Sequence, residues 1–339
     1  MEPFALGSFT VYPFGLVMAL GTLAALLWTG ANLRRAGLKA ETASWFAVFS
    51  LPLAFVFARL GYCLMIVDQL IGDEDFAFIL RVSEGGFILW GAVLGGWLAA
   101  WLTGRITRQS AGSIADAAIL PACLLIALGR IAAGLIFKDQ GIGFELAEWF
   151  NPEETDWASR YSLLALEDFS LFEHLPFAVT NYYGDWCWAI FVPEALWALV
   201  MALLLRRGSP RPGGRTARFI LLYACSQITF EAMLRGEVLH LPWLGFVRAN
   251  QILCAAAILI VWGLALTAVP KPDRLRVGGL SLLQMLLAVG VIIAMEFAAF
   301  EKKISAIDWM PADVCHLIMA AACVWLYFAV RPLWKRRWA

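Results

Sequence analysis

The chain has 339 residues, 61% hydrophobic and 15% charged, with a mean hydropathy of +0.74 and no net formal charge. That is too apolar for a soluble globular domain, and without bulk charge nothing favours a nucleic-acid partner. The composition is that of a polytopic membrane protein. Its seven cysteines have no metal-like spacing and lie mostly in apolar segments, so they read as small buried hydrophobes rather than metal ligands or a disulfide frame. No metal and no cofactor is expected. The opening MEPFALGSFTVYPFG lacks a basic n-region and a small-residue cleavage site, so no signal peptide is expected.

In chain order, nine apolar segments predict membrane spans at 13–33, 43–66, 84–104, 114–137, 190–206, 217–235, 250–269, 278–300 and 312–331. Arg34, Arg35 and Lys39 follow the first span, Arg105 and Arg108 the third, and RRGSPRPGGRTAR the fifth. Lys271, Arg274 and Arg276 follow the seventh, and RPLWKRRWA closes the chain. The positive-inside rule then places the C-terminus in the cytoplasm and the N-terminus outside. The acidic, aromatic-rich stretch 139–188 predicts an external cap of short helices, with NPEETDW as a turn and helix start. The expected fold is an all-α integral membrane bundle of about nine spans.

The chemistry sits in polar groups within the spans. Arg130 lies deep in SIADAAILPACLLIALGRIAAGLIFK, where a charge near mid-membrane costs about 2.5–3.5 kcal/mol and so requires a partner or a wet cavity. Asp116 shares its helix face, about 40° away around the axis but roughly 21 Å along it, too far for an ion pair. An arginine that merely ties helices together through carbonyls is the competing reading. FARLGYCL places Arg59 in the second span with Tyr62 three residues on, and Gly91 and Gly95 in the third are spaced for close helix approach. In the sixth span, Tyr223, Gln227, Glu231 and Arg235 recur every four residues, a slowly turning polar stripe with Glu231 and Arg235 in acid-first order. Arg248, Asn250 and Gln251 add donors at the start of the seventh span, and Glu194 opens the fifth. Several buried guanidinium groups suit an anionic phospholipid headgroup, because they grip phosphate oxygens in a paired fork. Ion translocation competes less well, since acidic relay groups are scarce in mid-span and no paired broken helices are evident.

The segments LGSFTVYPFGLVMALG, FARLGYCL, GFILWGAVLGG, DAAILPACLLIALGRIAAG and NQIL, in this order and spacing, resemble the bacterial prolipoprotein diacylglyceryl transferases. The resemblance covers roughly residues 5–270 and implies a seven-helix core with an external head between spans four and five. It implies transfer of diacylglyceryl from phosphatidylglycerol to the cysteine thiol of a lipoprotein precursor, with release of glycerol phosphate. By position, Arg130 matches the essential phosphate-facing arginine, and Arg59, Tyr62 and Asp116 match structural and headgroup-lining positions. Gly141, Tyr223, Glu231 and Gln251 also match family residues. The sequence departs from the family at Trp90, which replaces a histidine, and at Phe14, Ala133, Lys138, Gln227, Val192 and Ala198. Arg235 or Arg248 is the candidate substitute for the sixth-span arginine that Gln227 replaces.

Residues 1–270 are therefore expected to form the transferase-like core, with 271–339 adding two spans that serve stabilisation or a membrane-protein partner. In those added spans, Glu296 is expected to snorkel outward or pair with Lys302 or Lys303. The first functional reading is a phosphatidylglycerol-using transferase of the bacterial cytoplasmic membrane. In it Arg130 and Glu231 are catalytic, and Arg59, Tyr62, Asp116, Arg130, Tyr223, Gln227, Arg235 and Gln251 line the phospholipid site. The alternative is a family member without that chemistry that binds anionic lipid as an accessory subunit. Of the histidines His174, His240 and His316, only His240 is placed to border the pocket.

Overall fold

The computed structural model describes residues 4–6, 9–73, 75–81, 85–137, 140–150, 170–173, 176–235, 238–242, 244–301 and 310–338. In a bilayer every backbone amide must find an internal partner, and apolar segments meet that requirement as helices. A strand pair, β1 (Phe4–Leu6) and β2 (Phe9–Val11), leads into α1 (Pro13–Arg35), whose first position is a proline, where the missing N–H is no loss. Next come α2 (Glu41–Met65), the short α3 (Val67–Gly72), a 3-10 turn at Phe76–Leu80, α4 (Leu89–Thr107) and α5 (Ala111–Ile136). After the cap come α8 (Phe191–Leu204), α9 (Gly214–Met233), α10 (Ala249–Leu266), α11 (Lys271–Glu296) and α12 (Ala312–Trp338). A helix occupies most of each of the nine expected segments.

Six described helices, α1, α2, α5, α10, α11 with its π-helical extension, and α12, are long and apolar enough to cross a membrane. The other three fall short for readable reasons. Helix α8 has 14 residues, roughly 21 Å against a hydrocarbon core of about 30 Å. Tryptophans and glycines dilute α4, and α9 carries the polar stripe.

The cap differs from an all-helical expectation. Its described part holds α6 (Leu146–Phe150), α7 (Ser170–Glu173) and an antiparallel hairpin of β3 (Ala178–Thr180) and β4 (Trp186–Trp188). The Asn181 side-chain carbonyl accepts from the amides of Tyr183 and Asp185, each at 2.9 Å, and Gly184 takes a φ of +97°. That turn joins two strands rich in aromatic and β-branched residues, which favour the pleated backbone. The NPEETDW stretch lies outside the described residues.

Helix α2 lies along α4, and a Cβ at Gly91 or Gly95 would strike the carbonyl oxygens of Phe57 and Leu53, so the glycines act as spacers for close approach. Helix α5 packs against α1, α4 and α8, while α9 is flanked by α10 and α12, with α11 behind α12. A strand pair, β5 (His240–Leu241) and β6 (Leu244–Arg248), joins α9 to α10 and sets Arg248 at the entry of α10. At the basic end of the bundle Arg211 donates to the Arg337 carbonyl at 2.9 Å and the Trp334 indole to that of Gly214 at 3.1 Å. These contacts tie the end of α12 to the α8–α9 connection.

Candidate active site

Helices α5, α8 and α9 converge on Arg130. Its Nη2 lies 3.4 Å from Glu194 Oε1 and donates to Gln227 Oε1 at 3.1 Å and to Tyr223 Oη at 3.4 Å. Gln227 in turn donates to the same Glu194 oxygen at 3.1 Å. The Glu194 side chain is only 1% exposed whereas that of Arg130 is 30% exposed, so the cation is anchored from the protein side and open on the other. Among the described residues, nothing accepts from its Nε or Nη1. Glu194 answers the question Arg130 posed in the sequence: a half-buried charge within an apolar span has found a buried counter-charge.

A second cluster lies beside the first. Glu231 Oε2 accepts from Asn250 at 2.8 Å, and Asn250 Oδ1 accepts from the Trp90 indole N–H at 3.1 Å. The Trp90 ring also meets the Tyr223 ring edge-on at 5.5 Å, which places it between the two clusters. Arg248 donates to the backbone carbonyl of Glu231 and lies 3.8 Å from Glu296 Oε1. Gln251 donates to both oxygens of Glu296, at 3.0 and 3.2 Å. The result is a polar belt that runs from α8 through α5, α9 and α10 to α11.

A profile described as prolipoprotein diacylglyceryl transferase matches residues 2–268. The chain belongs to the prolipoprotein diacylglyceryl transferase family. Among its relatives, the phosphatidylglycerol–prolipoprotein diacylglyceryl transferase of Frankia alni is 28% identical over 282 residues, 79% of this chain and 65% of that protein. The enzyme of the same name from Halalkalibacterium halodurans is 26% identical over 76% of this chain and 83% of its own length. That from Geobacillus kaustophilus is 29% identical over 78% and 90%. The chain thus spans less than two thirds of the Frankia relative and most of the other two. Helices α11 and α12 lie beyond the residues matched to the family, so Glu296 reaches the belt from outside the family region.

The expected site residues separate into two groups. Arg130, Tyr223 and Gln227 are brought together, and Glu231 and Gln251 lie in the adjoining cluster. Arg59 is elsewhere engaged. Its five N–H donors meet five backbone carbonyls, of Phe78, Ile79, Arg81, Gly85 and Gly86, and its guanidinium lies 4.4 Å from the Phe78 ring. No donor remains for phosphate. Arg59, with Tyr62 packed at 5.9 Å from its guanidinium, instead fixes the loop that delivers α4 and Trp90. Gly86, at φ +78°, fits there because a side chain would strike Tyr62.

Asp116 is likewise engaged with the protein backbone. Its carboxylate accepts from the amides of Gly213 and Thr216, at 2.9 and 2.7 Å, and from the Thr216 hydroxyl at 2.7 Å. It caps the start of α9, whose first amides have no helical partner. Arg235 lies beyond the end of α9, its amide bonded to the Ile142 carbonyl and its guanidinium 3.9 Å from the Phe144 ring, while the Glu231 carboxylate takes Asn250 instead. Gly141, at φ +71°, lets the chain turn against Phe191. Lys302 and Lys303 lie outside the described residues, and Glu296 is held by Gln251 and Arg248.

Glu194, Asn250 and Glu296 were legible in the sequence as polar groups in or beside apolar spans but were not counted among the site residues.

Proposed function

We propose that this protein transfers the diacylglyceryl group of phosphatidylglycerol to the cysteine thiol of a lipoprotein precursor in the bacterial cytoplasmic membrane. The observation that carries the reading is the half-anchored Arg130: Glu194, Gln227 and Tyr223 hold one edge of its guanidinium and leave the rest open. An arginine fixed in that way is preorganised for a phosphate ester. In the reaction the cysteine sulfur bonds to the glycerol carbon as the bond between that carbon and the phosphate oxygen breaks. The electron pair leaves on glycerol phosphate. Arg130 stabilises that departing charge, and Glu231, oriented by Asn250, receives the thiol proton. Trp90 accepts no proton, so it serves by positioning Asn250. With basic residues closing α1, α4 and α12, the positive-inside rule supports a cytoplasmic C-terminus and an external N-terminus.

The test is the purified protein in phosphatidylglycerol vesicles with a lipobox peptide, following peptide mass and released glycerol phosphate together. A diacylglyceryl mass gain with stoichiometric release is expected, and Arg130→Lys, which keeps charge but loses the fork, is expected to slow it by about 10²–10³-fold. Absence of both products in a folded protein that still holds the lipid would overturn the reading.

A further inference from the structure

At the basic end of the bundle a cavity of about 620 Å³ is lined by Leu203 and Leu204 of α8, by Arg206 and Arg207 just beyond it, and by Arg218 of α9. Leu203, Leu204, Arg206 and Arg207 are exposed along its mouth, and Arg218 is half-buried at its wall. Arg218 is fixed: its Nη1 donates to the Leu204 carbonyl at 3.3 Å, and its guanidinium lies 5.9 Å from the Trp334 ring of α12. Its Nε is buried and has no acceptor among the described residues. Among the described residues neither Arg206 nor Arg207 forms an ion pair. No carboxylate among the described residues pairs with these three cations, a setting suited to a negative group, and the adjoining leucines suit one that carries hydrocarbon.

We propose that this cavity binds the phosphate of an anionic glycerophospholipid from the leaflet at the basic end, separate from the Arg130 site. Arginines that served membrane orientation alone would have no need of a shared cavity or of the Leu204 and Trp334 supports. The fork geometry of guanidinium matches phosphate oxygens, and the lipid's first methylenes lie along Leu203 and Leu204. Trp334 comes from α12, so the site is completed by a helix outside the family match.

The experiment uses the full chain in detergent and native mass spectrometry, with phosphatidylglycerol, phosphatidylcholine and inorganic phosphate as probes. In an Arg130→Gln background, so that only this cavity is read, phosphatidylglycerol is expected to stay bound while phosphatidylcholine does not. Adding Arg206→Gln, Arg207→Gln and Arg218→Gln is expected to weaken retention about a hundredfold, as for the loss of three basic groups beside an anionic lipid. The corresponding triple lysine variant keeps the charge that governs insertion and loses the fork; an intermediate affinity is expected, which keeps the test sound if the glutamine variant misfolds. Unchanged retention in either triple variant overturns the proposal, as does displacement of the lipid by equimolar inorganic phosphate. Loss of transfer in Arg130→Gln alone bears on the catalytic reading and not on this one.

Discussion

Gln251 and Glu296 meet at 3.0 Å across 45 positions of sequence, and Glu296 also lies 3.8 Å from Arg248 Nε. A carboxylate outside the family match thereby fixes two side chains at the entrance of α10, next to the helix end that carries Glu231. Glu296→Ala leaves Arg248 and the Gln251 amide short of an acceptor. A loss of about 1–3 kcal/mol in unfolding free energy, measured by denaturant unfolding in detergent, is expected, with Glu296→Gln losing less.

Asp116 is read here as a helix cap. Asp116→Ala is expected to lower stability by about 1–2 kcal/mol while phosphatidylglycerol binding persists in the folded fraction. Thermal unfolding and lipid retention on the same sample check it, and loss of binding at unchanged stability would assign Asp116 to the headgroup after all.

Trp90, where the resemblance to the family implies a histidine, bonds Asn250, which bonds Glu231. Trp90→His keeps an N–H for Asn250 and adds a proton acceptor. Its transfer rate is expected to exceed that of Trp90→Phe by about 10²-fold, with a new rising limb near pH 6.5 in the rate profile. Equal rates in the two variants would show that no base is needed at this position.

His240 pairs with Arg248 across the β5–β6 ladder, and burial, assisted by the Arg248 charge, holds its imidazole below the ordinary value of 6.5. The folded protein therefore favours the neutral ring, and the unfolded chain takes up the proton first. Stability from this group is complete above pH 6.5 and declines as pH falls from there through the folded value. A ring-carbon NMR titration is expected to show a midpoint below 6.5 that rises toward it in Arg248→Gln; a midpoint at or above 6.5 in the native protein would refute the assignment.

Gly95 faces the Leu53 carbonyl at the α2–α4 contact. Gly95→Leu has no room and the obstacle is backbone, so a destabilisation of about 1–3 kcal/mol or failure to fold is expected, whereas Gly96→Leu, which meets nothing within 4 Å, is expected to be tolerated. Yield of folded protein by size-exclusion chromatography separates the two.

Hydropathy alone determined where the helices run, because burying backbone in lipid leaves an apolar segment few alternatives. Four-residue spacing likewise put Tyr223, Gln227 and Glu231 on one stripe, and the glycine pair in α4 announced a close helix contact; these depend only on local geometry. The cap was less legible, since the side-chain bonds of Asn181 and the φ of Gly184 turned an expected helix into a hairpin. What tertiary structure decided was which charged groups remain available. Arg59 and Arg130 look alike in sequence, yet five carbonyls from a following loop saturate the first, while Glu194, 33 positions from its partner Gln227, anchors only one edge of the second. Asp116 became a cap and Glu296 a clamp for the same reason. The desolvation of a buried charge is compensated by groups at hydrogen-bond distance, and which groups stand at that distance is fixed by how helices far apart in sequence pack together.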